Sequence, residues 1–285
     1  MIGISPAYFL SKYGNDFTIE DLINDIPNLK RQGFGAFQVE ITKREYLKDW
    51  DNQSLEKLKR VCVDEQMRVS QVVAHFWIDD LSSKEGILHG LNQSEIEKLL
   101  WLVKELPYCE QLTVPFGRFE PDMSTACDSI AYSNIKQNVA DTLKNLCTLA
   151  EKQETYIALE LQPGAIIQGV AGFCKMLSMV QNHPALTYNF DTGHAHARKD
   201  IVELIPARLG KRLIGTHLCD NDSQINASLT PGEGNIAWKA VIAGLKNNQY
   251  NGSFDLEIMC KRSEVELKYA QGLRFISSLL KETSL

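Results

Sequence analysis

Strand-like and helix-like runs alternate along this chain eight times, with no linker, solenoid-length repeat or low-complexity tract between them. The strand-like runs are IGIS (2–5), GAFQVEI (35–41), RVSQVVAHF (68–76), QLTVPFG (111–117), YIALE (156–160), LTYNFD (186–191), RLIGTHL (212–218) and SFDLEIM (253–259). Apolar residues at helical spacing fill the gaps. Thr18 reads as a helix cap before Ile19, Leu22, Ile26 and Leu29, with a kink expected at Pro27. Leu55, Leu58 and Val61 follow the second strand; Ile96, Leu99, Leu100, Val103 and Leu106 follow the third. The longest predicted helix, 129–152, carries Ile135, Val139, Leu143, Leu146 and Ala150 on one face, and further helices are predicted at 170–181, 198–209, 236–248 and 264–281. Strict βα alternation implies a parallel sheet. Eight units favour its closure into a (β/α)8 TIM barrel, α/β in class, spanning residues 1–285 as one domain.

The open doubly wound alternative lacks its signature. The one GxG sits in TPGEGNIAW, late in the chain, and no GxGxxG opens the first βα turn. GxxxxGK[ST] is absent too, which removes a P-loop.

Composition narrows the class of partner. With 44% hydrophobic residues the chain can bury a large core, and a net charge of −6 gives no overall basic bias toward nucleic acid or anionic membrane. The seven cysteines are scattered, with no CxxC pair, as expected of reduced thiols in the cytoplasm. MIGISPAYF has neither the basic nor the long apolar region of a secretory signal, and no run approaches the ~20 apolar residues of a membrane span. A soluble cytoplasmic protein is the expectation, with no nucleic-acid or membrane partner and a homo-oligomer left open.

Four strand ends carry a side chain that does not belong in an apolar run: Glu160, Asp191, His217 and Glu257. They lie 31, 26 and 40 residues apart, about one βα unit each. A lone Glu or His at such a place is ordinarily a solvated or hydrogen-bonded residue. Four at the same address in consecutive strands are different, because parallel barrel strands end at one mouth. Three carboxylates crowded there repel unless a cation joins them. With one imidazole they make a hard, oxygen-rich site, best suited to Mn²⁺ but open to Mg²⁺, Co²⁺, Fe²⁺ or Zn²⁺.

Other polar residues flank these positions. His194, in DTGHAHA, is placed to reach substrate, whereas His196 reads as a loop residue. His75 and Glu40 end the third and second strands and face the same mouth, His75 as a substrate contact and Glu40 as a substrate contact or structural hydrogen bond. Asp220, in LCDND, either accepts the second N–H of His217 or simply shapes a turn.

The series YIALE, NFDTGHAH, THLCDND with PGEGNIAW, and DLEI resembles the xylose-isomerase-like TIM barrels over the whole chain. That superfamily holds ketose 3-epimerases, hydroxypyruvate isomerase, inosose dehydratase and, more distantly, endonuclease-IV-type apurinic endonucleases. The resemblance implies that Glu160, Asp191, His217 and Glu257 bind one divalent metal. It also implies that Glu160 and Glu257 act as acid and base on a ketose or keto-polyol, through an enediolate. The chain departs from the epimerase pattern at Ile166, where a further Glu is usual, and in LCDNDSQINAS, which lacks an Arg. It departs again at Ser228, where many members have His. An inosose-type dehydratase on the same site is the alternative. An apurinic endonuclease fits poorly, since Pro115 stands where the fourth strand would supply a ligand. A non-catalytic sugar-binding barrel would not need all four metal-binding side chains.

Overall fold

The computed structural model describes residues 1–282. Its eight strands are β1 (Ile2–Ile4), β2 (Ala36–Glu40), β3 (Arg68–Val73), β4 (Gln111–Phe116), β5 (Tyr156–Leu161), β6 (Leu186–Asp191), β7 (Leu213–His217) and β8 (Phe254–Leu256). They form one parallel sheet in the order β7-β6-β5-β4-β3-β2-β1-β8. The remaining gap, between β7 and β8, is closed by a parallel bridge pairing Leu218 with Leu256. The backbone bonds there are Leu218 N–H to Asp255 O (2.7 Å) and Glu257 N–H to Leu218 O (3.0 Å). The fold is the expected (β/α)8 barrel.

Period-two alternation decides which side chains face which way. In β5 and β6, Ile157, Leu159, Leu161, Leu186, Tyr188 and Phe190 are buried beneath the surrounding helices. Their neighbours Glu160, Asn189 and Asp191 project into the barrel. The helices answer with apolar faces. Ser129–Lys152, found where the spacing predicts it, buries Ile135, Val139, Leu143, Leu146 and Ala150 against the strands. Each large aliphatic side chain so buried contributes roughly 1.5–3 kcal/mol.

Two local expectations have different outcomes. Thr18 caps the helix Ile19–Gln32 through a reciprocal capping box with Asp21, and that helix continues through Pro27 because its face (Leu22, Ile26, Leu29) is fully buried. The single helix expected over 198–209 does not form. A short helix, Thr192–Ala197, forms earlier, capped by the Asp191 side chain on the His194 N–H. Lys199 then adopts φ 66°, and Ile205–Leu209 starts afresh with Pro206 in its first turn. A cap that doubles as a strand end drew the helix start forward. All seven cysteines are free, and no described helix is long and apolar enough to cross a membrane.

Candidate metal centre

Four side chains from consecutive strands meet at the C-terminal mouth. Asp191 and His217 are the last residues of β6 and β7, Glu160 is the penultimate residue of β5, and Glu257 follows β8 directly. One donor atom from each lies within 4.8 Å of the other three. His217 Nδ1 stands 2.6 Å from Glu257 Oε2, 3.2 Å from Glu160 Oε2 and 3.9 Å from Asp191 Oδ2. Glu160, Asp191 and His217 are almost completely buried, while the Glu257 side chain keeps 16% of its exposure and so faces the opening.

The electrostatics of the cluster are unbalanced. Burial opposes charge on Glu160, but His217 and His194 beside it hold its carboxyl well below the usual range. Burial pushes Asp191 up to about 6, and the charges of Glu257 and Glu160 push the same way. Burial also disfavours a charged His217, yet Glu160 and Glu257 overturn that and raise its pKa. Three acids around one imidazole leave surplus negative charge in a water-poor place.

Two buried atoms of the cluster, Asp191 Oδ2 and His217 Nδ1, have no hydrogen-bond partner. Nδ1 is close to its carboxylates, but none lies along a hydrogen-bonding direction. Its opposite nitrogen, Nε2, is 2.9 Å from Gln38 Oε1. An amide oxygen there is satisfied by an Nε2–H, so Nδ1 is the nitrogen that gives up its proton and turns an electron pair toward the carboxylates when a cation enters. Orphaned acceptors from hard oxygen donors and an imidazole fit one divalent cation.

The other sequence candidates fall around this cluster. His194 Nε2 lies 3.3 Å from Glu160 Oε1 and 3.5 Å from Asp191 Oδ2, so the ring sits against both carboxylates. Glu40 and His75 pair at 2.8 Å. Burial alone would lower His75, but the Glu40 carboxylate dominates and its pKa rises to about 9, with Glu160 and Glu257 adding to the effect. His75 is therefore a cation at the rim, its side chain 45% exposed. His196 turns away to Asn235.

Of the two readings of Asp220, the contact with His217 is not made, since the Gln38 amide takes that place, and the turn-shaping one holds. Asp220 instead pins the loop that follows. It accepts from the N–H groups of Asn221 (2.9 Å), Gly232 (2.9 Å) and Ile236 (3.2 Å) and from Trp238 Nε1 (2.7 Å). This gives the PGEGNIAW segment a physical reading. At Gly234 a Cβ would sit 2.3 Å from both Asn221 O and Asp220 Oδ1, so only glycine lets the loop close over the aspartate.

Beneath the cluster is a second group of buried polar side chains that the sequence reading did not single out: Gln38, Gln71, Gln111, Thr113, Asn189 and Asp255. The usable signal was alternation. Gln38, Asn189 and Asp255 each stand two residues before a mouth residue (Glu40, Asp191, Glu257) and so face the same interior.

Comparison with known proteins agrees with this architecture. The family profile described as xylose isomerase-like TIM barrel matches residues 26–279. An uncharacterized protein of Methanocaldococcus jannaschii is 30% identical over 142 residues, which span 48% of each chain, so the match covers about half of that relative's length. Among solved structures, a D-tagatose 3-epimerase-like protein superposes with TM-score 0.71 at 22% identity, covering 100% of this chain and 99% of the other. The 3-keto-D-glucoside 4-epimerase YcjR of E. coli gives 0.75 at 19% identity, with 97% and 98% covered. An IolI protein with a bound zinc atom gives 0.72 at 17% identity, with 100% and 99% covered. At these identities the likeness is one of fold.

Proposed function

The chain belongs to the xylose isomerase-like TIM barrel family, and on that premise we propose that it is a divalent-metal-dependent sugar isomerase or epimerase acting on a ketose or keto-polyol. The observation that carries this reading is the convergence of Glu160, Asp191, His217 and Glu257 with two buried donor atoms left unpartnered. The epimerase names of two structural neighbours and the zinc of a third support it. The four residues would hold the ion, Mn²⁺ by preference for its mixed oxygen and imidazole ligands. When bound, such a cation supplies Lewis-acid stabilisation of the negative charge that develops beside a sugar carbonyl.

The chain's own residues do the rest. Glu257, the more open of the two glutamates, removes the proton α to the carbonyl, and Glu160 serves the opposite face in the return step. His194 holds Glu160 in orientation through the 3.3 Å contact. His75, kept cationic by Glu40, donates to a substrate oxygen at the rim. The buried walls exclude water from the proton in transit.

The test is deuterium wash-in. The Mn²⁺-loaded protein, offered free ketoses, 3-keto sugars and inososes in D₂O, is expected to exchange the α-proton of at least one class. EDTA should abolish the exchange and Mn²⁺ restore it. Exchange that survives exhaustive chelation would rule out the metal-dependent reading, and no exchange across the whole panel would rule out the proton-transfer chemistry.

A further inference from the structure

We propose that Gln38 and Asp255 are positioning residues: Asp255 fixes which way the Gln38 amide faces, and Gln38 thereby fixes which nitrogen of His217 carries hydrogen. The consequence for metal binding rests on the function proposed above; the hydrogen placement does not.

An amide side chain has an acceptor at one end and a donor at the other, so its orientation carries information that neither end alone supplies. A carboxylate only accepts. Asp255 is buried, and its Oδ2 receives hydrogen bonds from Gln38 Nε2 (2.8 Å) and Ser70 Oγ (2.7 Å), while Ser253 Oγ occupies Oδ1. With its NH₂ committed to Asp255, Gln38 must turn Oε1 toward His217 Nε2, 2.9 Å away. An oxygen at that distance requires the ring hydrogen on Nε2. In the neutral ring Nδ1 is then the nitrogen with the free electron pair, directed at Glu160, Asp191 and Glu257.

Gln71 Nε2 also lies 3.3 Å from the same ring nitrogen and, as a donor, would favour the opposite ring form. It is shared with Asn189 Oδ1 at 3.3 Å, and the Gln71 oxygen is occupied by Gln111 and Thr113. The Asp255–Gln38 link is shorter and charge-assisted, and such bonds are about twice as strong as neutral ones, so it decides the competition. The fold leaves room for it. β1 lies between β8 and β2, and a Cβ at Gly3 would stand 2.1 Å from Asp255 Oδ1, so only glycine lets the carboxylate occupy that space.

Two variants and one spectroscopic signature test the relay. Gln38→Met keeps the bulk and removes both hydrogen bonds. It is expected to weaken Mn²⁺ binding, measured by calorimetry, about 10- to 100-fold. The double change Gln38→Glu with Asp255→Asn reverses donor and acceptor between the two positions while still presenting an oxygen to His217. It should return the affinity to within a few-fold of wild type, which a merely structural role would not predict. In ¹⁵N-histidine-labelled, metal-free protein the His217 Nε2–H should exchange slowly with solvent in the wild type and fast in Gln38→Met. Gln38→Met binding Mn²⁺ within twofold of wild type, with that hydrogen still protected, would overturn the proposal. So would failure of the double variant to recover affinity while its fold stays intact. Should the wild type bind no Mn²⁺ at all, the metal reading fails, and hydrogen exchange at Nε2 alone then decides the relay.

Discussion

Two polar layers lie one above the other inside this barrel, and they differ in how completely they are paired. In the lower layer Gln71, Gln111, Thr113 and Asn189 hydrogen-bond among themselves, and Asp255 is ringed by donors. In the upper layer Asp191 Oδ2 and His217 Nδ1 are buried without a partner. Leaving a buried polar group unpaired costs about 1–3 kcal/mol, more when it is charged. A barrel that satisfies one layer and leaves the next unsatisfied keeps the second for something from outside. Polarity alone does not distinguish the layers; unmet hydrogen-bonding capacity does.

The largest expected effect lies in the upper layer. Glu257→Gln keeps the shape and removes the base, so proton exchange should fall by about 10²–10⁴-fold while the circular dichroism spectrum stays that of the wild type. Wild-type turnover in this variant would remove Glu257 from the proton-transfer mechanism. Asp220→Ala should act on architecture instead. It strips four donors of their acceptor, and a loss of about 2–3 kcal/mol is expected, with proteolysis beginning inside 221–235. Cleavage starting elsewhere would mean that the loop does not depend on the aspartate. The smallest effect tests the lower layer. Gln111→Ala removes one of the two donors to the Gln71 oxygen and should cost about 0.5–1.5 kcal/mol in urea denaturation, leaving Mn²⁺ affinity within about threefold. Collapse of the affinity without loss of stability would erase the division between the layers.

Much of this fold is legible in the sequence, because periodicity is a local property. All eight strands and the helix Ser129–Lys152 lie where their apolar spacing puts them. The four mouth residues were visible for the same reason, each ending a run whose direction the barrel fixes. What escaped is non-local or double-duty. Gln38 meets His217 across 179 residues of sequence, and no spacing rule links a glutamine in β2 to a histidine in β7. For Asp220 the sequence offers His217, three residues back, or a turn, and does not reach the donors it has, which lie mostly 12–18 residues ahead in a loop that a glycine allows to fold over it. Asp191 ends a strand and caps a helix at once, and a reading that gives each residue one part starts the next helix too late.

The seam between β7 and β8 is where the circle of strands is joined most sparsely, and His217 and Glu257 stand on its two sides. Thr216 stitches the same edges below them, giving its hydroxyl to Ser253 O and receiving the Asp255 N–H. Anything gripped jointly by His217 and Glu257 therefore acts as a clasp on the cylinder as well as an occupant of its mouth. Occupancy at a hundred times the dissociation constant adds about 2.7 kcal/mol to a folded state. Here that reinforcement falls on the join itself, so the working protein and the tightly fastened one are the same species.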